Sequence, residues 1–233
     1  MKWYCHVEFM EGIKVMINII YEDNHLLVVE KPINIPVQKD DSNDTDFLTI
    51  LKKYIKDKYQ KPGNVYLGLV HRLDRPVGGI MVFAKTSKSA SRLSEQVRNN
   101  KFKKIYYAVL EGNINESGTF KDKLKKDHKT NVTKVSKEGK EAVLRFEKIS
   151  SISKFSLVKI ELETGRSHQI RVQFSSRNFP LYGDKKYNKN SKEEKQIALF
   201  AKELSFYHPI TKELMNFSLE LPKRYPFSLF DVK

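Results

Sequence analysis

The stretch from His71 to Thr86, HRLDRPVGGIMVFAKT, constrains this chain most. Its second half, IMVFA from Ile80 to Ala84, is an uninterrupted apolar run bounded by turn residues, which predicts a buried strand. Its first half reads as a loop. Pro76 biases Arg75 away from helical backbone, and Gly78-Gly79 permit positive φ or the close approach of another backbone. Asp74 therefore sits in a stiffened turn between Arg72 and Arg75, beside a strand able to hold it still. Two readings follow from these residues. One is a surface turn with structural charge pairs. The other is a reactive carboxylate mounted on a rigid element.

The flanking segments supply elements on both sides. Val15–Ile20 and Leu26–Glu30 are β-rich runs separated by the turn-forming YEDNH. Phe47, Leu48, Leu51, Tyr54 and Ile55 recur at helical spacing and predict a helix capped by Asp44 or Thr45 and running to about Tyr59. The turn Lys61-Pro62-Gly63-Asn64 follows. Ser87 is expected to cap a second helix ending near Asn99-Asn100. KFKKIYYAVLEG, residues 101–112, reads as a basic run feeding a strand. Residues 113–141 are lysine-rich with little apolar periodicity, which predicts a β-excursion or a mobile loop. Ala142–Ile149, Phe155–Leu162 and Leu214–Leu219 read as further strands, residues 197–209 as a strand followed by a Pro-containing turn, and Pro222 onward as tail. In ETGRSHQIRVQF, Ser167 is a plausible cap for an amphipathic helix with Ile170 and Phe174 on one face. On pattern alone, Arg171 there is a surface charge and His168 a structural histidine.

Composition narrows the class. The chain has 233 residues, enough for one sizeable domain or two small ones, and 39% hydrophobic content argues for a packed core. Its formal net charge of +15, from 43 basic and 28 acidic residues, favours a polyanionic partner, nucleic acid before an acidic membrane. An abundance of lysine throughout is the plainer source of part of that charge. A single cysteine, Cys5, excludes a disulfide framework and a thiolate zinc site, and fits a reducing, cytoplasmic setting. The six histidines are scattered without metal-ligand spacing. No run approaches the roughly 18–20 apolar residues of a membrane span, and Glu8, Glu11 and Lys14 interrupt the N-terminal segment as a signal peptide. Residues 1–14 are expected to be a short extension or a first irregular strand, with one domain following from residue 15.

Several blocks together resemble one family. HRLD followed by R-P-x-G-G and an apolar strand is similar to the central motif of the RluA-type pseudouridine synthases, H-R-L-D-x-x-T-S-G, with Val77-Gly78 where Thr-Ser is commoner. TGRSHQIRVQ is similar to that family's T-G-R-x-H-Q-I-R block. Lys103, Lys104, Tyr106 and Ala108 match K-K-x-Y-x-A. INIIYEDNHLLVVEKPINIPV resembles the family's opening segment, and Pro180-Leu181-Tyr182-Gly183-Asp184 with Tyr187 resembles P-[IL]-x-G-D-x-x-Y. IALFAKELSFYHP resembles L-x-x-H-A-x-x-L-x-x-x-H-P, with Phe200 in place of the first histidine. The blocks occur in family order from about residue 16 to about residue 221.

The resemblance implies a mixed α/β fold: a central, largely antiparallel sheet with flanking helices and a basic central cleft. It implies isomerisation of specific uridines in structured RNA, ribosomal RNA first and tRNA second, by a monomer needing neither cofactor nor metal. The catalytic aspartate falls on Asp74, the active-site tyrosine on Tyr106 and the arginine paired with the aspartate on Arg171. His71, Arg72, Arg166, His168, Lys103 and Lys104 are implied substrate-binding or supporting residues, with Arg72 the candidate to enter the RNA stack. The chemistry suits these residue types. Uracil must leave ribose through nitrogen and rejoin through carbon 5, and an ionised carboxylate serves the cleavage step. A guanidinium keeps such a carboxylate charged when buried. A tyrosine offers a ring face to uracil and a phenol for proton handling. Two other readings differ in class: an RNA-binding protein on a degenerate synthase scaffold, and a hydrolytic glycosylase releasing free uracil.

Overall fold

The computed structural model describes residues 3–8, 14–191 and 195–231. The fold is mixed α/β. The chain falls into two compact units, Met1–Phe102 with Glu203–Leu219, and Lys103–Lys202 with Glu220–Lys233.

In the first unit, β1 (Trp3–Glu8), β2 (Lys14–Glu22), β3 (Leu26–Lys31) and β5 (Gly78–Ala84) pair antiparallel in that order, and the two-residue β4 (Gly68–Leu69) adds to β5. Residues 3–8 of the opening segment are thus a strand, while residues 1–2 and 9–13 lie outside the described residues. Every residue of β5 is buried. The strand starts at Gly78, two residues earlier than its apolar run. Gly79 has φ 128°, and a Cβ on Gly78 would meet the Lys31 carbonyl oxygen at 3.2 Å. Glycine lets the pairing with β3 run that far toward the turn. Lys31 lies opposite Gly79 in this ladder.

Helix α1 (Phe47–Lys58) buries Phe47, Ile50, Leu51, Tyr54 and Ile55 and sets Phe47 edge-on to Phe83 of β5. Its cap is Asp46, whose carboxylate accepts from the Thr49 amide at 3.1 Å, rather than Asp44 or Thr45. Helix α2 (Ser87–Arg98) is capped by Thr86, one residue before the expected Ser87. The Glu22 carboxylate at the end of β2 accepts hydrogen bonds from Tyr54, Lys58, Tyr59 and Lys85 at 2.7–2.8 Å. It ties α1 to the strands beneath it. Across the same unit, the His208 imidazole Nδ1 accepts from the amides of Ile210 and Thr211, which places its proton on Nε2, 2.9 Å from Asp23. The His-Pro ending seen in the sequence is therefore a turn fastener.

In the second unit, β6 (Lys103–Glu111) pairs with β10 (Phe155–Leu162), β10 with β9 (Lys140–Ile152), β9 with β7 (Ser117–Asp127), and β7 with β8 (Val132–Val135), all antiparallel. The lysine-rich stretch after Gly112 is accordingly a β-excursion. Its outward residues Lys121, Lys123 and Lys125 alternate with inward Phe120, Asp122 and Leu124. β11 (Leu199–Tyr207) begins in this unit and passes to the first, where it pairs with β12 (Leu214–Ser218). The stretch after Pro222 is not a loose tail: it forms a 3-10 turn, Phe227–Leu229, and buries Phe227 and Phe230. The apolar alternation of Phe227 and Phe230 is too short to register as a pattern. Among the described residues no helix is long and apolar enough to cross a membrane.

Candidate active site

In the first unit the HRLD turn is held from below. The Val77 amide donates to the Asp74 carbonyl at 2.9 Å, closing the turn. Asp74 is half-buried, whereas Arg72 and Arg75 are exposed. Both arginines reach the loop before α1. Arg72 Nη1 donates to Gln38 Oε1 at 3.4 Å. Arg75 Nε donates to the Asn34 carbonyl at 3.1 Å and Nη1 to Ser42 Oγ at 3.0 Å, and Nη2 pairs with the Asp44 carboxylate. Arg75 thus fastens the flank of the turn. His71 Nε2 accepts the amide of Val82 in β5 at 3.1 Å, so that nitrogen is unprotonated, and its ring packs edge-on to Phe102 at 5.2 Å. That partnership makes His71 a support of the turn.

Beneath the turn lies Lys31, fully buried. Its ammonium donates to the carbonyls of Pro32, Arg75 and Val77 at 2.8, 3.0 and 2.9 Å. Burial pushes it down to about 7; Asp74 works against that shift and Arg75 with it. Nothing in the pattern LLVVEKP distinguishes a lysine leaving a strand from one turned inward. The apolar run Leu26–Val29 ahead of it was the only hint.

In the second unit, Tyr106 of β6 is 6% exposed. Lys104, two residues before it, is pressed down toward its neutral form by desolvation, and its Nζ lies over Gly165 of the T-G-R-S-H segment. Lys103 is exposed and 3.4 Å from Glu161. Helix α3 (Gln169–Ser175) differs from the amphipathic helix expected. All of Gln169 to Phe174 are buried. Ser167 does not cap it; His168 stands at the cap position with φ 54° and no capping hydrogen bond. A helix buried all round is positioned by tertiary contacts rather than by a polar face. Gln173 supplies one, donating to Asp122 at 2.7 Å, and Phe174 another, edge-on to Phe120 and Phe146.

Arg171 is therefore a buried cation, which overturns its reading as a surface charge. Its Nε and Nη2 grip the two oxygens of Asp184 at 2.9 and 2.7 Å, a bidentate fork, and its guanidinium lies 5.1 Å from the Tyr187 ring centre. Asp184 also accepts the amides of Lys186 and Tyr187. The Tyr187 hydroxyl is 2.7 Å from His168 Nδ1 and accepts the Thr133 amide at 2.8 Å. Arg166 is exposed, and its Nε donates to the Glu141 carbonyl at 2.7 Å. The structure thus assembles Arg171 with Asp184 and Tyr187, and His168 with Tyr187. Asp184 and Tyr187 stood in a matched block without a role. Asp184 now has one, orienting the arginine so that its guanidinium is presented in a single direction.

Known proteins resemble this chain over most of its length. Residues 25–176 match the family described as RNA pseudouridylate synthase. An uncharacterised RNA pseudouridine synthase of Bacillus subtilis is 38% identical over 205 residues, covering 85% of this chain and 67% of that protein. Ribosomal large subunit pseudouridine synthase D of Buchnera aphidicola is 34% identical over 224 residues, covering 90% of this chain and 70% of the relative. The fold is similar to that of human RNA pseudouridylate synthase domain containing 4, with a TM-score of 0.74 at 23% identity over 88% of each chain.

Proposed function

The chain belongs to the RNA pseudouridylate synthase family, and from that premise we propose that it isomerises specific uridines of ribosomal RNA, with Asp74 as the nucleophile. The ribosomal substrate is supported by relatives named ribosomal large subunit pseudouridine synthase D in Buchnera aphidicola and Haemophilus influenzae, 34% and 32% identical. tRNA is the second candidate. One observation carries the nucleophile reading: Asp74 sits half-buried on a turn whose backbone is fixed by a buried ammonium and by Arg75.

In this reading the Asp74 carboxylate assists departure of uracil from the ribose carbon, and uracil turns and rejoins through carbon 5. Tyr106 and Arg171 take the roles their motif register implies. Tyr106 presents a ring face and a phenol to the base, and Arg171 favours the ionised nucleophile. The target uridine leaves its stack at a cost on the order of a few kcal/mol, and Arg72, exposed beside Asp74, fills the gap. Lys103 and Lys104 contribute phosphate affinity, and His71, Arg166 and His168 support the site. The reaction is an isomerisation, balanced without an external group.

Asp74→Asn keeps the shape and removes the charge. Incubated with ribosomal RNA transcripts, the purified wild-type chain should form pseudouridine at defined positions, and Asp74→Asn should bind the same RNA within several-fold and form none. Turnover by the Asn variant removes the nucleophile assignment. Modification of tRNA alone removes the ribosomal one, and release of free uracil in place of pseudouridine would indicate hydrolysis.

A further inference from the structure

The stretch after Pro222 carries a surface that the catalytic reading does not use. Tyr225 is 51% exposed, yet its ring is held. Tyr182 meets it nearly edge-on at 5.4 Å between ring centres, and Phe155 does so at 6.2 Å. Phe155 and Tyr182 also stand edge-on to each other at 5.6 Å. Both are buried, and the Tyr182 backbone is fixed on two sides. Its amide donates to the Val109 carbonyl at 2.9 Å, and its carbonyl accepts the Ala198 amide at 2.8 Å. Half of an aromatic ring is thus presented to solvent from a rigid base. A ring already ordered loses little freedom when something stacks on it.

Cations flank this ring. Lys195 Nζ lies 4.8 Å from the Tyr182 ring centre, and Lys154 Nζ 5.7 Å from that of Phe155. Arg224, next to Tyr225, donates from Nη2 to the Ile197 carbonyl at 2.8 Å, and its Nη1 is buried with no hydrogen-bond partner among the described residues. Desolvation pushes its guanidinium down, and no carboxylate opposes the shift. Glu111 is the acid close enough to act on the Tyr182 phenol, so one carboxylate faces three cations. Lysine is depleted at protein–protein interfaces, whereas an open aromatic ring between cations is the composition of a single-stranded nucleic-acid site. The patch is also apart from Tyr106. Glu111 lies an odd number of residues beyond Tyr106 along β6, so it and its cross-strand partner Phe155 face the other way.

We propose that Tyr225, with Lys154 and Lys195 beside it, is a stacking platform for an unpaired segment of the substrate RNA. One base lies on the Tyr225 ring and the two ammonium groups take the neighbouring phosphates. The identity of the RNA rests on the reading of the chain as an RNA-modifying enzyme; the stacking itself does not. The platform acts on affinity and leaves the chemical step alone.

The probe is a short fluorescent oligoadenylate, which offers no uridine to the active site. Its binding is measured by anisotropy for wild type, Tyr225→Ala, Tyr225→Phe and the double variant Lys154→Gln/Lys195→Gln. Tyr225→Ala should bind about 10-fold more weakly, and Tyr225→Phe, which keeps the ring, should bind as wild type does. The double variant should flatten the plot of log K against log salt by about 0.7 for each lysine. On ribosomal RNA, Tyr225→Ala should need more RNA to reach half of its single-turnover rate and should keep the wild-type rate at saturation. Equal affinity of Tyr225→Ala and wild type for oligoadenylate overturns the proposal and gives the patch to a protein partner. A loss in Tyr225→Phe as large as in Tyr225→Ala overturns the stack, as does a fall in the saturated rate. Should Tyr225→Ala not fold, Tyr225→Leu, which keeps apolar bulk without a π face, takes its place with the same expected loss. Absence of pseudouridine in every RNA tried removes the enzymatic reading, and the oligoadenylate measurement still decides the platform.

Discussion

Glu22 offers the most quantitative test of what holds the first unit together. Its side chain is 6% exposed and accepts hydrogen bonds from two lysines and two tyrosines. Burial alone would raise the carboxyl; the bonds from Lys58, Lys85, Tyr54 and Tyr59 outweigh it and bring the group from its ordinary 4.5 down to about 2. That displacement corresponds to about 3 kcal/mol of stability. Because the folded state holds the carboxyl below its unfolded value, the contribution is fully present above about pH 5 and is lost as pH falls toward 2. Glu22→Gln removes the charge, leaving Lys85, 9% exposed, without its anion. At pH 7 the variant should lose about 3 kcal/mol, or about 6–12 °C in melting temperature for a chain of this size. The difference should shrink steadily in denaturant titrations from pH 5 to pH 2.5, followed by circular dichroism. Equal midpoints at pH 7, or a difference that does not change with pH, would refute the reasoning.

Asp184→Ala strips the buried Arg171 of its bidentate partner. Breaking a buried pair from one side costs about 3–5 kcal/mol, so melting temperature and turnover should fall together, and a neutral melt would deny the pair its structural weight. Gly183→Ala puts a Cβ 2.4 Å from the Gln196 carbonyl oxygen at φ +71°. The backbone conformation alone costs about 1–2 kcal/mol, to be read as a lower melting temperature. Replacing Lys101, Lys103 and Lys104 with Gln should weaken RNA binding and flatten the plot of log K against log salt by about 0.7–0.9 for each phosphate no longer neutralised. Asp74→Asn should leave that slope unchanged, and an unaltered slope in the triple variant would move the RNA path elsewhere.

The local elements were legible because their signals are local. Five apolar residues in a row between turn residues could hardly be other than the buried strand β5. The spacing of Phe47, Leu51, Tyr54 and Ile55 specified the face of α1, and only its cap moved, from Asp44 or Thr45 to Asp46, whose carboxylate is the one within reach of the Thr49 amide. The two specific blocks, HRLD and TGRSHQIR, were enough to identify the family. Periodicity misjudged α3, because a seven-residue helix packed on every side leaves no polar face to read. It also misjudged the stretch after Pro222, where two isolated phenylalanines do the packing.

By itself the sequence determined most of the order of strands and helices and the family, and it named a carboxylate, a tyrosine and an arginine as the residues to test. Tertiary structure alone decided which charges are buried and which groups hold them. Lys31 ends a strand and Asp184 ends a turn, and nothing in the neighbours of either shows that one caps the carbonyls of residues 75 and 77 or that the other clamps Arg171. Side-chain type and spacing are properties of a few consecutive residues. Desolvation and hydrogen-bond partnership depend on atoms that folding brings together from distant parts of the chain, and a buried charge is tolerated only where those atoms have already been placed to receive it.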